Sequence, residues 1–310
     1  MSETAESSLT VVLGTRNRLP QLQNCLRSLI GNISVDHEIV VVEAGSTDGT
    51  LEYLQGLAGV RVVVDGEVRG QARSLNKVFE GISTKYACWL ADDNVMMAGM
   101  LDLAVSVLEG RPDIGLVALK LKDMQGPTQV KQYMGAISPS GVLNCNHGVI
   151  RTALLRQVGF LDERTYSFDP DLTMKVLLAG YKVAHTKRVA IHHYNDHVAS
   201  PGAMESDERQ ARLEAARALY CDKYRDWIAP VPRWRRALYG ALRRYIIIPA
   251  YRAARRAGLP LESRLGYNER DWANMLYSRY ISKLDLWRNR RHPYYLVQSM
   301  PPWARRGLAK

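Results

Sequence analysis

Short hydrophobic runs alternate with segments of helical periodicity over the first 200 residues of the chain. Leu19, Leu22 and Leu26 recur at a helical spacing, whereas the runs between such segments are short and uninterrupted, as in buried strands. The runs that predict strands span 9–14, 37–42, 60–64, 86–90, 114–119 and 189–193. The segments that predict helices span 19–29, 51–54, 72–82 and 101–108. This alternation predicts an α/β fold with a mostly parallel sheet and helices on both faces.

The pattern becomes helical beyond about residue 205. Residues 207–227 form one long helix candidate, and the prolines at 230 and 232 end it. A second candidate spans 233–257 and contains Pro249, which predicts a kink near Ile248. The last third of the chain is therefore expected to be a helical region.

Charge divides the chain at the same place. The formal net charge is +11, and residues 201–310 alone hold 23 Lys and Arg against 10 Asp and Glu. Five of the six tryptophans also fall in this last third. We therefore expect an α/β domain over 1–204 and a basic, aromatic-rich helical region over 205–310.

Arginines are concentrated in the second helix candidate. Eight arginines and no acidic residue lie between Asp226 and Glu262, interleaved with aromatic and aliphatic residues. An amphipathic, arginine-rich helix of this kind favours the interface of an anionic membrane. We expect residues 233–257 to bind such a surface. Packing on protein, including a second copy of the chain in a homo-oligomer, is a close alternative, and nucleic acid is the least favoured partner.

Three features bear on where the chain works. The four cysteines are widely spaced and follow no metal-ligand pattern, which favours a reducing compartment. Residues 1–8 lack the apolar core of a signal peptide. No run of about 20 apolar residues predicts a transmembrane helix. We expect a cytoplasmic protein that is peripheral on the inner face of the cytoplasmic membrane.

The strongest chemical signal is Asp92-Asp93-Asn94, which directly follows the apolar run 86–91. Ligands of open α/β sheets bind beyond the carboxyl ends of the strands. Carboxylate and amide oxygens suit Mg²⁺ or Mn²⁺, with phosphates completing the coordination. The other interpretation is a solvated turn, which Asp and Asn also favour. The Gly-x-Gly-x-x-Gly fingerprint of dinucleotide enzymes is absent after the first strand, where only Gly14 stands.

Several blocks, in this order, resemble the family-two glycosyltransferases, which adopt the GT-A fold. The blocks are 15–18, 38–50, 70–76, 92–94, 158–163, 168–172 and 189–193. Glu43 stands where that family usually has Asp, and Phe168 stands where it usually has Glu. The resemblance covers residues 9–200 and does not extend to the basic region.

This resemblance implies a metal-dependent inverting glycosyltransferase. It implies transfer of a sugar from a nucleotide-sugar of the UDP, dTDP or GDP type to a hydroxyl of a lipid-linked or glycan acceptor, with Mg²⁺ or Mn²⁺ as cofactor. The pathway implied is assembly of a bacterial cell-surface polysaccharide or glycolipid. Alternatives are a nucleotidyltransferase and a non-catalytic scaffold that binds membrane through its basic region.

The resemblance also assigns roles to residues. The catalytic candidates are Asp169 and Asp171. The nucleotide-binding candidates are Thr15, Asn17, Arg18, Glu43, Arg73 and Asp92. The metal-binding candidates are Asp93, Asn94, His192 and His193.

Two assignments stay open at this point. Asp169 is favoured as general base, but Asp169 and Asp171 could instead favour the positive end of a helix. His192 and His193 end a strand and point to opposite faces, so only one of them can reach a given metal ion. His147 and His197 are weaker metal candidates. Acceptor specificity is expected in the loops around 120–147 and 195–206.

Overall fold

A computed structural model of the chain describes residues 8–66, 70–125, 132–194, 206–228, 232–259, 268–282, 284, 292 and 294–301. Within this part of the chain, ten strands form one sheet. The first five strands are β1 (Leu9–Thr15), β2 (His37–Glu43), β3 (Val60–Val64), β4 (Tyr86–Ala91) and β5 (Asn94–Met96). The others are β6 (Ile114–Asp123), β7 (Gln132–Tyr133), β8 (Gly148–Arg151), β9 (Lys182–His193) and β10 (Tyr294–Gln298).

The sheet has a parallel half and a mixed half. Its order is β10-β9-β6-β8-β4-β1-β2-β3, with β5 pairing β9 and β7 pairing β6. Strands β3, β2, β1 and β4 are parallel, as are β6 and β9. Strand β8 lies antiparallel between β4 and β6. Because β8 reverses direction between them, β4 and β6 run the same way, and the carboxyl ends of β1, β2, β4, β6 and β9 meet at one edge.

Helices cover both faces of the sheet, as predicted. The helices of the first two thirds are α1 (Leu19–Ile30), α2 (Thr50–Gln55), α3 (Gln71–Phe79), α4 (Met100–Gly110), α5 (Thr152–Gln157) and α6 (Asp169–Leu178). Val11 and Leu13 of β1 join the core formed with α1 and α4, whereas Val12 joins the core formed with α3 and α6. The alternation along β1 therefore supplies both cores, because successive strand side chains point to opposite faces.

The C-terminal region is helical, as expected, and also contributes to the sheet and its core. Its helices are α7 (Ser206–Lys223), α8 (Arg233–Leu242), α9 (Ile248–Arg256) and α10 (Glu269–Tyr277). Tyr220 of α7 and Tyr224, which directly follows this helix, are buried in the core that contains α3 and α6. Strand β10 pairs antiparallel with β9. Residues on both sides of position 204 therefore share one core.

The predicted irregularity near Ile248 takes the form of a π-helical turn. Residues Arg243–Ile247 form this turn directly before Pro249. Proline lacks an N–H and its ring clashes with the preceding helical turn, so a wider turn at this point relieves the conflict. None of the helices in the described ranges is long and apolar enough to cross a bilayer.

A buried ion pair joins α10 to the sheet. Lys120 Nζ of β6 lies 3.2 Å from Asp271 Oδ2, and the two side chains are 1% and 0% exposed. Asp271 also accepts hydrogen bonds from the backbone N–H groups of Met134 and Asn268. These added hydrogen bonds offset part of the desolvation of the carboxylate.

We predict that Lys120→Met lowers the free energy of unfolding by about 3 kcal/mol or more, because it leaves Asp271 buried without its counter-charge. Urea unfolding of the full chain measures this. Lys85→Met is the matched control, since Lys85 forms an ion pair with Glu109 at the surface. Its effect should stay below about 1 kcal/mol. Equal effects of the two substitutions would contradict the role of the buried pair.

Candidate active site

Polar side chains collect at the edge where five strands end. Thr15, Glu43, Asp123 and His193 are the last residues of β1, β2, β6 and β9, and Asp92 follows β4 directly. Thr15, Glu43, Asp92 and Asp123 are all buried. This edge is where ligands of open α/β sheets bind.

Arg18 bridges the two adjacent carboxylates. Its Nη1 donates to Asp92 Oδ1 at 2.7 Å, and its Nη2 donates to Asp93 Oδ2 at 3.0 Å. The second oxygen of Asp92 accepts a hydrogen bond from Thr15 Oγ1 at 2.9 Å. The positions of both carboxylates are therefore fixed by a planar guanidinium fork.

The two carboxylates differ in acidity. Burial raises the pKa of Asp92 to about 7, against the opposing effect of Arg18 and with a further contribution from Asp93. Burial would also raise the pKa of Asp93, but His193 and Arg18 outweigh it and hold that pKa well below its usual range. At neutral pH, Asp93 is therefore the fully ionised member of the pair.

One oxygen of Asp93 is left facing a histidine. Asp93 Oδ1 lies 3.6 Å from His193 Nε2, and within the described residues it accepts no hydrogen bond. Two ligands that are each about 2.1 Å from one cation lie roughly 3.0 Å apart at right angles and roughly 4.2 Å apart on opposite sides. The observed separation falls within this range, so Asp93 and His193 would be able to hold one divalent cation.

The other nitrogen of His193 is held from behind. His193 Nδ1 lies 2.9 Å from Asp123 Oδ1, which also accepts a hydrogen bond from Tyr133 Oη at 3.0 Å. Burial lowers the pKa of His193, but Asp93 and Asp123 outweigh burial and raise it. A carboxylate that accepts from the outer N–H of a histidine orients its inner nitrogen, as in many metal sites.

The strand places the neighbouring histidine elsewhere. His192 is half-buried, and burial together with Lys122 lowers its pKa. Among the described residues, the histidine that forms the ion pair with Asp93 is His193. The structure thus brings His193, and not His192, to the carboxylates. Sequence reasoning missed Asp123, although its position at the end of the apolar run of β6 follows the same rule as Asp92.

Asn94 is the remaining predicted metal ligand. Its Nδ2 lies 3.1 Å from His147 Nε2, and its Oδ1 is buried without a hydrogen bond among the described residues. Burial lowers the pKa of His147 to about 4, so that ring is neutral. Within the described ranges no three His, Cys, Asp or Glu side chains converge as a complete metal cage. The described donors would therefore leave coordination positions of a bound cation for phosphate oxygens and water.

Asp93 is accessible from a cleft of about 160 Å³. Gln21 and Asn24 of α1 line the cleft, together with Gln125 and Tyr194. These amide and hydroxyl groups make the approach to Asp93 polar.

Glu43 and Asn17 shape the loop that follows β2. Glu43 accepts hydrogen bonds from the backbone N–H groups of Gly45 and Ser46, at 3.1 and 2.5 Å. Asn17 Oδ1 accepts from the N–H of Thr47 at 2.7 Å. Glu43 and Asn17, both predicted to bind nucleotide, therefore accept hydrogen bonds from backbone N–H groups of one loop. Their side chains set the conformation of that loop.

Gly45 is required at the centre of this loop. It has φ +78, and a Cβ there would lie 2.8 Å from the carbonyl oxygen of Gly66. The remaining nucleotide-binding candidate, Arg73, is exposed in the first turn of α3.

Asp169 and Asp171 have different surroundings. Asp169 is the first residue of α6, and enclosure of its carboxyl raises its pKa to about 8, although the residue keeps a solvent-exposed edge. Asp171 lies 2.5 Å from Lys223 Nζ and 3.2 Å from Lys175 Nζ, and Tyr224 Oη donates to it at 2.7 Å. Asp171 therefore ties α7 to α6.

Some predicted positions lie outside the described residues. These are His197, residues 126–131 of the first acceptor loop, and residues 195–205 of the second.

Comparison with known proteins finds similarity to glycosyltransferases. Residues 10–150 match the model of the family described as glycosyl transferase family 2. The chain is 24% identical over 198 residues to the poly-beta-1,6-N-acetyl-D-glucosamine synthase of Staphylococcus epidermidis. That match covers 58% of this chain and 48% of the synthase, so the chain matches about half the length of this curated relative.

Solved glycosyltransferases share the fold. The mannosyltransferase PcManGT from Pyrobaculum calidifontis, in complex with GDP-Man and Mn²⁺, superposes with a TM-score of 0.51 at 19% identity, covering 88% of this chain and 85% of its own. TarS 1-349 of S. aureus in complex with UDP-GlcNAc gives a TM-score of 0.53 at 17% identity, covering 76% and 64%. At this level of identity the likeness shows the fold, which is GT-A.

We predict that Asp169→Asn becomes increasingly stabilising as pH rises. The folded pKa of Asp169 lies above that of an unfolded Asp, so the stability linked to its proton is complete at acid pH and is lost as pH rises through about 8. The variant-minus-wild-type difference in the free energy of unfolding should therefore grow by on the order of 2 kcal/mol between about pH 5 and about pH 9. Urea titrations across this range measure it.

Asp207→Asn is the control for that experiment, because Asp207 is an exposed carboxylate in the first turn of α7. If the charge at the helix terminus alone set the pKa of Asp169, the free energies of unfolding of the two variants would depend on pH in the same way. A difference in the free energy of unfolding between Asp169→Asn and the wild type that does not change with pH would contradict the raised pKa of an enclosed Asp169 carboxyl.

Proposed function

We propose that this chain, whose residues 10–150 match the model of glycosyl transferase family 2, transfers a sugar from a nucleotide-sugar donor to an acceptor hydroxyl. The observation that carries this proposal is the pairing of Asp93 with His193 at the sheet edge, beside a second carboxylate, Asp92. An ionised carboxylate that faces an oriented histidine is suited to hold the cation of a nucleoside diphosphate.

Mg²⁺ or Mn²⁺ is the cofactor that fits this donor set. Asp93 and His193 would hold it, with the buried Oδ1 of Asn94 nearby in sequence as a further oxygen donor. When bound, the cation would act as a Lewis acid and stabilise the negative charge of the departing diphosphate. The related fold of PcManGT, solved with GDP-Man and Mn²⁺, supports a divalent cation here.

The donor would lie along the ends of β1, β2 and β4. Thr15, Arg18 and Asp92 form one hydrogen-bonded unit there, and Asn17 and Glu43 shape the adjoining loop. Arg73, exposed on α3, would meet the donor's phosphates or nucleobase as a mobile charge. The solved relatives hold GDP-Man, UDP-GlcNAc and UDP, which supports a donor of the UDP, dTDP or GDP type.

Asp169 would accept the proton of the acceptor hydroxyl. A carboxyl with a pKa of about 8 is a much stronger base than an exposed Asp, and it exchanges protons near neutral pH. A single base fits one direct displacement, which inverts the anomeric carbon. Asp171 would act from behind by holding α6 against α7 through Lys223.

A lipid-linked or polysaccharide acceptor is the class we favour. The relative from Staphylococcus epidermidis is a poly-N-acetyl-glucosamine synthase, and this supports a role in polysaccharide assembly. A nucleotidyltransferase or a non-catalytic scaffold would also bind nucleotide or retain the fold, so the metal site is the feature to test first.

We predict that His193→Ala weakens Mn²⁺ binding by about tenfold or more, since it removes one of two facing donors. Electron paramagnetic resonance of free Mn²⁺, titrated into the chain, measures the affinity without any need for an acceptor. His192→Ala is the matched control, because it removes the adjacent ring on the opposite face of β9. It should change the affinity by less than about threefold.

Asp123→Asn tests the support behind the ring. It removes charge from the carboxylate that His193 Nδ1 contacts, and we expect an intermediate loss of Mn²⁺ affinity. A loss of Mn²⁺ affinity with His192→Ala but not with His193→Ala would contradict the assignment of His193 as the metal-binding histidine. Absence of Mn²⁺ binding by the folded wild type, with and without a nucleoside diphosphate, would remove the metal-dependent mechanism.

A further inference from the structure

The segment from α8 to α9 has one face that is packed against the protein. The ring of Tyr239 meets that of Tyr277 of α10 edge-on at 5.7 Å, and Trp272 Nε1 donates to Tyr251 Oη at 3.0 Å. Tyr251 and Ala254 are buried. This face is therefore occupied by α10.

The opposite face carries exposed apolar side chains in a line. Trp234, Leu238 and Tyr245 are 67%, 47% and 68% exposed. Together with the exposed Ala241 they follow one another at intervals of four, three and four residues. Such intervals place them on one side of a helix. Ile246, 59% exposed in the π-helical turn, adds to the same region of surface.

The same helical segment also exposes several arginines. Exposed arginines stand at Arg233, Arg236, Arg243, Arg252 and Arg256. Within the described residues, no carboxylate forms an ion pair with any of these five. The sequence from 227 to 261 contains no Asp or Glu. The positive charge of this segment is therefore not balanced by acidic residues of the segment itself.

We propose that this face docks on an anionic lipid surface. We call it the apolar stripe, comprising Trp234, Leu238, Ala241 and Tyr245, and the segment that carries it also exposes the five arginines. Trp and Tyr favour the depth of the lipid headgroups, and arginine side chains reach phosphates while their stems cover apolar surface. The combination matches a helix that lies in the plane of an interface.

Charge argues against a second copy of the chain as the occupant. A two-fold interface through the stripe would bring the same surface of each copy together. The strongly basic segments of the two copies would then come close together, with no carboxylate from residues 227–261 between them. An anionic membrane, in contrast, supplies the missing counter-charge. Nucleic acid would also supply phosphates, but it gives no partner to Leu238 or Ile246.

The stripe is held firmly to the sheet. Helix α10, which packs under it, is anchored by the buried pair of Asp271 with Lys120 of β6. The same strand ends at Asp123, the residue that holds His193. Docking through the stripe would therefore fix the orientation of the candidate active site relative to the lipid surface. The proposal itself does not depend on the proposed function.

Vesicle flotation of the full chain tests this. The probes are vesicles of phosphatidylcholine alone and vesicles with about 30% phosphatidylglycerol, at low and high salt. We expect binding to the anionic vesicles only, weakened by salt because screening shortens the reach of surface charge. The triple variant Trp234→Ala/Leu238→Ala/Tyr245→Ala should lower the partition coefficient by about tenfold or more. Arg236→Gln/Arg243→Gln/Arg252→Gln should lower it to a similar extent.

Two controls match these variants. Leu213→Ala removes an exposed leucine from α7, and Arg27→Gln/Arg188→Gln/Arg217→Gln removes three exposed arginines from other surfaces. Both should bind like the wild type. Thermal unfolding should show that every variant is folded, because all of the substituted side chains are exposed.

Several results would overturn the proposal. One is a folded wild type that does not float with anionic vesicles. Another is equal loss of binding in the charge-matched control, since net charge and not the stripe would then be responsible. A third is a wild type that does not float with vesicles and that forms a dimer in light scattering, where only the triple variant Trp234→Ala/Leu238→Ala/Tyr245→Ala is monomeric. Tighter binding to duplex DNA than to anionic vesicles would overturn it as well.

Discussion

The candidate site depends on the fork of Arg18 across two adjacent buried carboxylates. Asp92 and Asp93 would repel each other, and burial penalises the charge on each. The guanidinium of Arg18 lowers the pKa of both carboxyls, and His193 lowers the pKa of Asp93 further. The result is one carboxyl that titrates near neutral pH and one that stays ionised, with a single oxygen facing the histidine.

The sheet is what allows this concentration of charge. Five strands end at one edge, and each contributes a polar residue. Thr15 donates to Asp92 and His193 contacts Asp123, whereas Glu43 accepts from backbone N–H groups of its own loop. Strand β6 also links distant parts of the chain. Its Lys120 binds the C-terminal helix α10, and its Asp123 binds His193 at the end of β9. The basic region and the site are thus connected through one strand, although they are far apart in sequence.

Hydrophobic periodicity was enough to predict the parallel strands, the helices on both faces and the position of the carboxylate pair. It was not enough for β8, which is only four residues long, or for β10, which lies beyond the helical region. The ion pair of Lys120 with Asp271 could not be predicted either. A lysine inside an apolar run indicates that a buried counter-charge exists, but it does not indicate which residue supplies it. Periodicity did predict that His192 and His193 diverge. Which of them meets Asp93 required the register of β5 with β9, where Asn94 pairs with His193.

The most direct test of this account is calorimetric titration of UDP, GDP, dTDP and CMP into the full chain, with and without Mn²⁺. The account predicts that one nucleotide binds tightly only when Mn²⁺ is present, and that Asp93→Ala abolishes the metal dependence while the protein remains folded. Tight nucleotide binding that is unaffected by both Mn²⁺ and Asp93→Ala would contradict the metal role assigned to the carboxylate pair. A folded protein that binds none of the four nucleotides would contradict the proposed transfer of a sugar from a nucleotide donor.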